Sequence, residues 1–248
     1  MLTKHLLACL AAAAPLAFIA APAEAADLGA GFTVNGGATL VSDYRFRGIS
    51  QTDKRFALQG TITLAHESGF YGSVWGSSID DYVANGSDQE LDFIAGYRRT
   101  FGGTTVDAGV LYYYYPGSGG INSDFFEPYV SVSHVFGPVT AKATANYAPK
   151  QAALTIGDGK EDNLYLAADL SAAIPETPVT VTAHLGHSFG PSYLTIGDEY
   201  TDWSLGASYA VGPLSLGLAY VDTNKDLFSP SGRNISKAGV VASVGVSF

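Results

Sequence analysis

Beyond residue 26 the chain alternates apolar and polar positions with a period of two almost without a break. That is the pattern of strands with one apolar and one polar face. Twelve segments carry it, at about 32–47, 57–66, 70–79, 89–98, 104–115, 125–136, 139–147, 163–174, 179–188, 202–211, 214–222 and 238–248. No helical period is evident in this region. The connections alternate long and short along the chain. Short turns fall at Glu67-Ser68-Gly69, Thr100-Phe101-Gly102-Gly103, Gly137-Pro138, Pro175-Glu176-Thr177-Pro178 and Gly212-Pro213. Long ones cover about 48–56, 80–88, 116–124, 148–162, 189–201 and 223–237. This puts every short turn at one end, together with both termini. A Greek-key sandwich has no reason to segregate loop length in this way, whereas a transmembrane β-barrel has short periplasmic turns and long outer loops.

The two faces of each segment sharpen the reading. In segment one, Phe32, Val34, Gly36, Ala38, Leu40, Ser42, Tyr44 and Phe46 share a face, opposite Thr33, Asn35, Thr39, Asp43, Arg45 and Arg47. Segment seven sets Val139, Ala141, Ala143, Ala145 and Tyr147 against Thr140, Lys142, Thr144 and Asn146. Segment three (Phe70, Gly72, Val74, Gly76 against Tyr71, Ser73, Trp75, Ser77, Ile79) has no preferred orientation. For the others, the reading keeps Asp, Glu, Lys and Arg off the apolar face. With odd segments running outward, Tyr44, Phe46, Tyr112, Tyr114, Tyr147, Trp203 and Tyr220 form an outer aromatic belt. Phe32, Tyr97, Phe136, Tyr209 and Phe248 form an inner one, and aliphatic residues lie between, as in a barrel crossing a bilayer. Pro128 lacks a ladder donor and predicts a bulge or fraying at the outer end of segment six.

Composition excludes several classes. An apolar share of 47% is too high for a disordered chain, and the charged share of 15% is below the roughly 25% of an average soluble domain. Thirteen Lys and Arg in a chain of net charge −10 argue against an electrostatic nucleic-acid binder. Lys4 and His5 precede an apolar run from Leu6 to Ala21, and Ala23-Glu24-Ala25 follows as a small-residue cleavage site. This predicts a signal peptide over 1–25 and a single barrel domain over 26–248. The one Cys and the one Met fall in the leader, so disulfide, thiol and Cys-metal chemistry are excluded from the mature chain. No later run reaches the length of a transmembrane helix.

The stretch Val41-Ser42-Asp43-Tyr44-Arg45-Phe46-Arg47-Gly48-Ile49-Ser50-Gln51-Thr52-Asp53-Lys54-Arg55, followed by Ala57-Leu58-Gln59-Gly60, resembles the opening motif of the TorF porin family. Gly69-Phe70-Tyr71, Trp75-Gly76-Ser77, Glu90-Leu91-Asp92, Gly96-Tyr97, Leu185-Gly186-His187-Ser188, Asp202-Trp203, Leu205-Gly206 and Leu218-Ala219-Tyr220-Val221-Asp222-Thr223 continue the likeness over nearly the whole mature chain. Phe56 stands where the family has Pro. The closing run Val240, Ala242, Val244, Val246, Phe248 resembles the terminal assembly signal of bacterial outer-membrane barrels. The resemblance implies an outer-membrane barrel with a porin role, no catalytic residues and no specified solute.

The chemistry expected of such a barrel lies on its inner face. Pore-lining candidates are Asp43, Arg45, Arg47, Asp92, Arg98, Asp107, Tyr113, Lys142, Asp169 and His184; Tyr115 and Tyr165 also face in. Charges at a constriction sort solutes by sign, although the same residues also suit a structural ion-pair cluster filling a narrow barrel. Asp43, Glu90, Asp92, Asp107, Glu127, Asp169 and Asp202 outnumber Arg45, Arg47, Arg98 and Lys142, which predicts a weak cation preference. Leu-Thr-Ile-Gly-Asp occurs twice, at Leu154–Asp158 and Leu194–Asp198, without the ligand spacing of a calcium loop. Ser133-His134 and His187-Ser188 are adjacent pairs whose side chains point to opposite faces, so neither pair makes a nucleophile and its base. The reading is a twelve-stranded antiparallel barrel acting as a passive channel for ions or small polar solutes. Its rivals are a barrel enzyme acting on envelope lipids and a closed structural or surface-binding barrel. No catalytic, cofactor or metal residues are assigned. Expected partners are outer-membrane lipid, lipopolysaccharide and, through Phe248, the barrel-assembly machinery. No nucleic acid is expected, and the oligomeric state stays open.

Overall fold

The computed structural model describes residues 25–248, so the signal-peptide reading falls outside the described residues but for Ala25. Twelve strands form the wall: β1 (Phe32–Val41), β2 (Ala57–His66), β3 (Phe70–Ser78), β4 (Gln89–Phe101), β5 (Thr104–Tyr114), β6 (Phe125–Phe136), β7 (Val139–Ala148), β8 (Asn163–Ala173), β9 (Val179–Phe189), β10 (Tyr200–Val211), β11 (Leu214–Thr223) and β12 (Gly239–Ser247). Each pairs antiparallel with its sequence neighbour, and β12 returns to β1, closing a twelve-stranded barrel. Closure pairs each wall strand on both sides over most of its length, which is how a barrel satisfies its backbone groups in lipid.

The seam has its own chemistry. The β12–β1 ladder runs only from Ser243↔Val41 to Ser247↔Gly37. It is extended by reciprocal backbone bonds between Gly36 and Phe248, at 3.0 and 2.9 Å. The Phe248 ring lies on Gly36, where a Cβ would come within 2.7 Å of the ring. Below Phe248 the segment Ala26–Gly29 folds back and pairs with Phe32–Val34, covering the part of β1 that β12 does not reach.

Alternation along the strands sends apolar residues out and polar ones in. Leu58, Ile62, Leu64, Val130, Val132, Leu166, Leu170, Leu205, Leu216 and Leu218 are exposed on the outer wall, whereas Glu90, Glu127, Asn146 and Asp202 are buried inside. Strand β3 now has an orientation: Phe70 and Val74 face out, and Tyr71 and Trp75 face the lumen. Tyr112, Tyr114, Tyr147 and Tyr220 make an outer belt, joined by Phe56; Phe32, Phe70, Tyr97, Phe101, Phe136, Tyr209 and Phe248 make the inner one. Three outer tyrosines hydrogen-bond carboxylates above them: Tyr112 to Asp124, Tyr147 to Asp162 and Tyr220 to Asp222.

Three sequence expectations need correction. Strand β1 ends at Val41, not at residue 47. Tyr44 and Phe46 therefore leave the outer belt and pack inside the barrel. The outer wall does carry charge at its rims: Asp222 sits on the apolar side of β11, and β4 continues to Phe101, which brings exposed Arg99 onto the outward face at the periplasmic end. Both lie where a polar head reaches the interface rather than hydrocarbon. Pro128 brings the expected fraying, on one side only. It stays paired with Val110 of β5, but the β6–β7 ladder stops at Tyr129. The side chain of Gln151 then replaces the missing strand, accepting from the Phe126 N–H at 3.0 Å and donating to its carbonyl at 2.8 Å.

Candidate functional site: the lumen and its inward-folded loop

Residues 42–56, between β1 and β2, fold into the barrel. At Ser42 the wall strand turns inward, its N–H held by the Ala242 carbonyl. A small hairpin follows, Arg45–Phe46 paired with Ile49–Ser50. Its tip is Arg47-Gly48, with φ of 46° and 81°, the positive φ at both central positions that a tight two-residue hairpin turn requires. Asp43 braces the base of the loop. It accepts from Arg45 Nε at 2.5 Å, Ser50 Oγ at 2.5 Å and Thr52 Oγ1 at 3.2 Å.

The hairpin touches the wall on most sides. Tyr44 donates to Glu90 of β4 at 2.6 Å and meets Trp75 of β3 edge-on. Phe46 contacts Tyr113 of β5, which stacks on Phe125 of β6. Arg47 reaches Glu127 of β6 at 2.7 and 2.9 Å and Asn163 of β8 at 3.0 Å, and its guanidinium lies 4.1 Å over the Tyr165 ring. Gly48 rests on the other side: a Cβ there would be 2.3 Å from Thr223 Cγ2 and 2.9 Å from Asp202 Cβ. Tyr113 and Asn146 also donate to Glu127, so this carboxylate, fully buried, has a complete set of donors. The loop thus fills much of the outer half of the lumen.

Two further polar layers lie closer to the periplasm. His184 of β9 stands between Asp169 of β8 (2.7 Å) and Asp202 of β10 (3.0 Å), with the Tyr165 hydroxyl at 2.9 Å. Lower still, Asp107 of β5 binds Arg98 of β4 at 2.7 Å and accepts from Tyr71 at 2.9 Å, and Tyr71 hydrogen-bonds Tyr129. Asp92 is buried beside Glu90 on β4, and its Oδ1 has no partner among the described residues. Lys142 of β7 lies opposite Asp169 in register.

The structure therefore brings Arg47 and Tyr113 to one cluster around Glu127, Asp43 and Arg45 to the loop base, Asp169 and His184 to a second layer, and Arg98 and Asp107 to a third. Asp43, Arg45 and Arg47 belong to the inward loop and not, as expected, to a wall strand. The sequence reading passed over Tyr71 and Trp75, because β3 had no assigned faces, and it left Tyr129 of β6 and Asn163 of β8 outside the site. At the outer mouth the inward loop is tied to a neighbouring one. Asp53 accepts from Ser229 at 2.7 Å and Ser231 at 2.9 Å and faces Arg233 at 3.5 Å, which ties loop 42–56 to loop 224–238. Burial alone would raise the Asp53 pKa, but the two hydroxyls, Arg233 and Arg55 outweigh it and hold the carboxyl below its usual range. The two Leu-Thr-Ile-Gly-Asp copies fold differently. Thr155–Ile156 forms a short strand, whereas Thr195 ends a 3-10 turn and Ile196 takes φ of 49°. Leu154 is buried, and Leu194 packs against the same cluster.

A closed antiparallel wall, apolar outside and charge-lined inside, with a loop folded into its lumen, defines a porin-like β-barrel. The chain belongs to the Gcw_chp family, described as a bacterial protein of unknown function, which matches residues 25–248. No curated protein matches it significantly. Among solved structures it is similar to the NanC porin, at 13% identity and a TM-score of 0.57, over 87% of this chain and 98% of that one. It is also similar to an outer membrane channel from Pseudomonas putida F1, at 13% identity and a TM-score of 0.51, over 92% of this chain and 98% of that one. At these identities the likeness establishes the fold.

Proposed function

We propose that this protein is an outer-membrane channel of the TorF porin kind, passing ions or small polar solutes passively through a lumen narrowed by loop 42–56. The observation that carries this reading is the inversion of polarity across the wall. Aliphatic residues between two aromatic belts face out, while layers of ion pairs and tyrosine hydroxyls line the interior. A lumen of that kind replaces part of a solute's hydration shell as it passes. His184, with both ring nitrogens on carboxylates, suits a charged wall better than a catalytic base, so the reading is not an enzyme. The packing of Tyr44, Tyr113 and Glu127 around the hairpin favours a second reading, a closed barrel whose interior is structural. Recordings of the purified protein in a planar bilayer separate the two. Discrete conductance steps are expected, and a silent membrane with folded, inserted protein would sink the channel reading.

A further inference from the structure

The inward turn of β1 leaves a gap in the rim. Strand β12 carries on outward from its last pairing with β1 through Gly239–Ala242, paired on its other side with β11. Ala242 still exchanges bonds with Ser42. By alternation along the strand, Val240 turns its N–H and C=O to the same side, where β1 has already departed. Loop 42–56 bounds the other side of this notch. There Lys54 Nζ lies 3.4 Å from the Lys237 carbonyl, and Arg45 Nη1 reaches the same carbonyl from within at 3.3 Å. The nearby carboxylates are engaged: Asp43 with Arg45, Asp53 with Ser229, Ser231 and Arg233, and Asp80 with Arg55. Lys54 and Lys237 have no carboxylate partner among the described residues, in a chain whose net charge is −10. Just below, Phe56 (72% exposed) and Val240 (68% exposed) extend into the apolar surround.

We propose that this notch seats the phosphate-bearing headgroup of an outer-leaflet lipid of the lipopolysaccharide type, with Lys54 and Lys237 meeting the phosphate and Phe56 and Val240 lying along the acyl chains. Two ammonium groups without a carboxylate partner, beside exposed Phe56 and Val240, match the charge and the amphipathic outline of such a lipid. The lipid also covers the edge of β12 beside Val240, where the ladder with β1 has ended. The inference rests on the outer-membrane reading but not on conduction, so it is tested by binding, which a silent channel leaves unaffected.

The experiment titrates the protein in detergent micelles with phosphorylated lipid A, with the same lipid after phosphatase treatment, and with inorganic phosphate, followed by native mass spectrometry. Phosphorylated lipid is expected to bind at least roughly tenfold more tightly than the other two. Lys54→Gln with Lys237→Gln should remove that advantage. Lys54→Arg with Lys237→Arg should keep it, as should Lys150→Gln on another loop. Equal binding of the dephosphorylated lipid, inorganic phosphate competing at the same affinity, or an unchanged glutamine double variant that keeps the folded barrel's gel mobility would each overturn the proposal.

Discussion

At the scale of single residues, the contact between Arg47 and Glu127 decides how the lumen is filled. Both side chains are almost fully enclosed, and Glu127 takes further donors from Tyr113 and Asn146. Removing one member of such a pair costs about 3–5 kcal/mol, because the other charge is left buried without a partner. Arg47 sits at the tip of a hairpin that adds nothing to the wall ladder, so the molecule has a way to relieve that cost: the hairpin moves towards water. Glu127→Gln is therefore expected to raise conductance or produce open–closed flicker while changing the thermal unfolding of the barrel little. Arg47→Ala should do the same, and the double variant should add little to either, since both remove one contact. Single-channel recording checks this, and unaltered conductance in Glu127→Gln would mean that the hairpin does not set the constriction. Gly48 has a separate role. With φ of 81° and Thr223 and Asp202 against it, any side chain there displaces the tip.

At the scale of elements, the strands were legible and the inward hairpin was not. Bilayer outside and polar lumen inside impose a period of two on every wall strand, so residues 57–66, 139–147 or 214–222 announce themselves. A hairpin packed within the lumen alternates as well. Tyr44 and Phe46 against Arg45 and Arg47 continue the rhythm of β1 without marking that the chain has left the wall. The available signal was Gly48 between Phe46 and Ile49, a faint one, because the strong hairpin pairs are Asn-Gly and Asp-Gly and here the first turn residue is Arg47. Strand β3 defeated the pattern for another reason. Its lumen face carries Tyr71 and Trp75, as apolar as its lipid face. The lumen clusters were legible as a set of inward charges, but which partners meet depends on strands far apart in sequence, as Arg47 does with Asn163. The tie between loops 42–56 and 224–238 makes a prediction at this same scale. The Asp53 carboxyl is held below its ordinary pKa in the folded protein, so its contribution is fully present above the unfolded value of about 3.9 and is lost as pH falls through the folded one. Channel flicker is expected to increase as the pH is lowered below about 4. Asp53→Asn should produce the same flicker at neutral pH, together with faster tryptic cleavage after Arg233 and Lys237. Equal cleavage of variant and parent would show that the loops are held by other contacts.

At the scale of the whole molecule, closure and charge both follow from the complete wall. The seam depends on a short ladder completed by Gly36 and Phe248. Deleting Phe248 should therefore lower the yield of barrel in the outer membrane, measured by fractionation and heat-modifiable gel mobility; unchanged yield would remove the C-terminal residue from any assembly role. Ion preference is a property of the summed lumen. Had Arg45 and Arg47 been unpaired at the narrowest ring, they would favour anions. Instead Arg45 is matched by Asp43, Arg47 by Glu127 and Arg98 by Asp107, so these six charges cancel locally. Two carboxylates, Asp169 and Asp202, flank the single imidazole of His184. Among the described residues, Lys142 is the base set against this remainder on the inner wall. The balance is negative, and a negative pore with low-dielectric walls concentrates cations. With a Debye length of about 10 Å at 0.1 M salt, the effect fades as salt rises. Reversal potentials across a KCl gradient should have the sign of weak cation selectivity, larger in dilute salt. Asp169→Asn should reduce it more than Asp107→Asn, whose carboxylate is already matched by Arg98. A reversal potential of anionic sign in the parent protein would mean that the local arginines outweigh the summed lumen charge despite their partners.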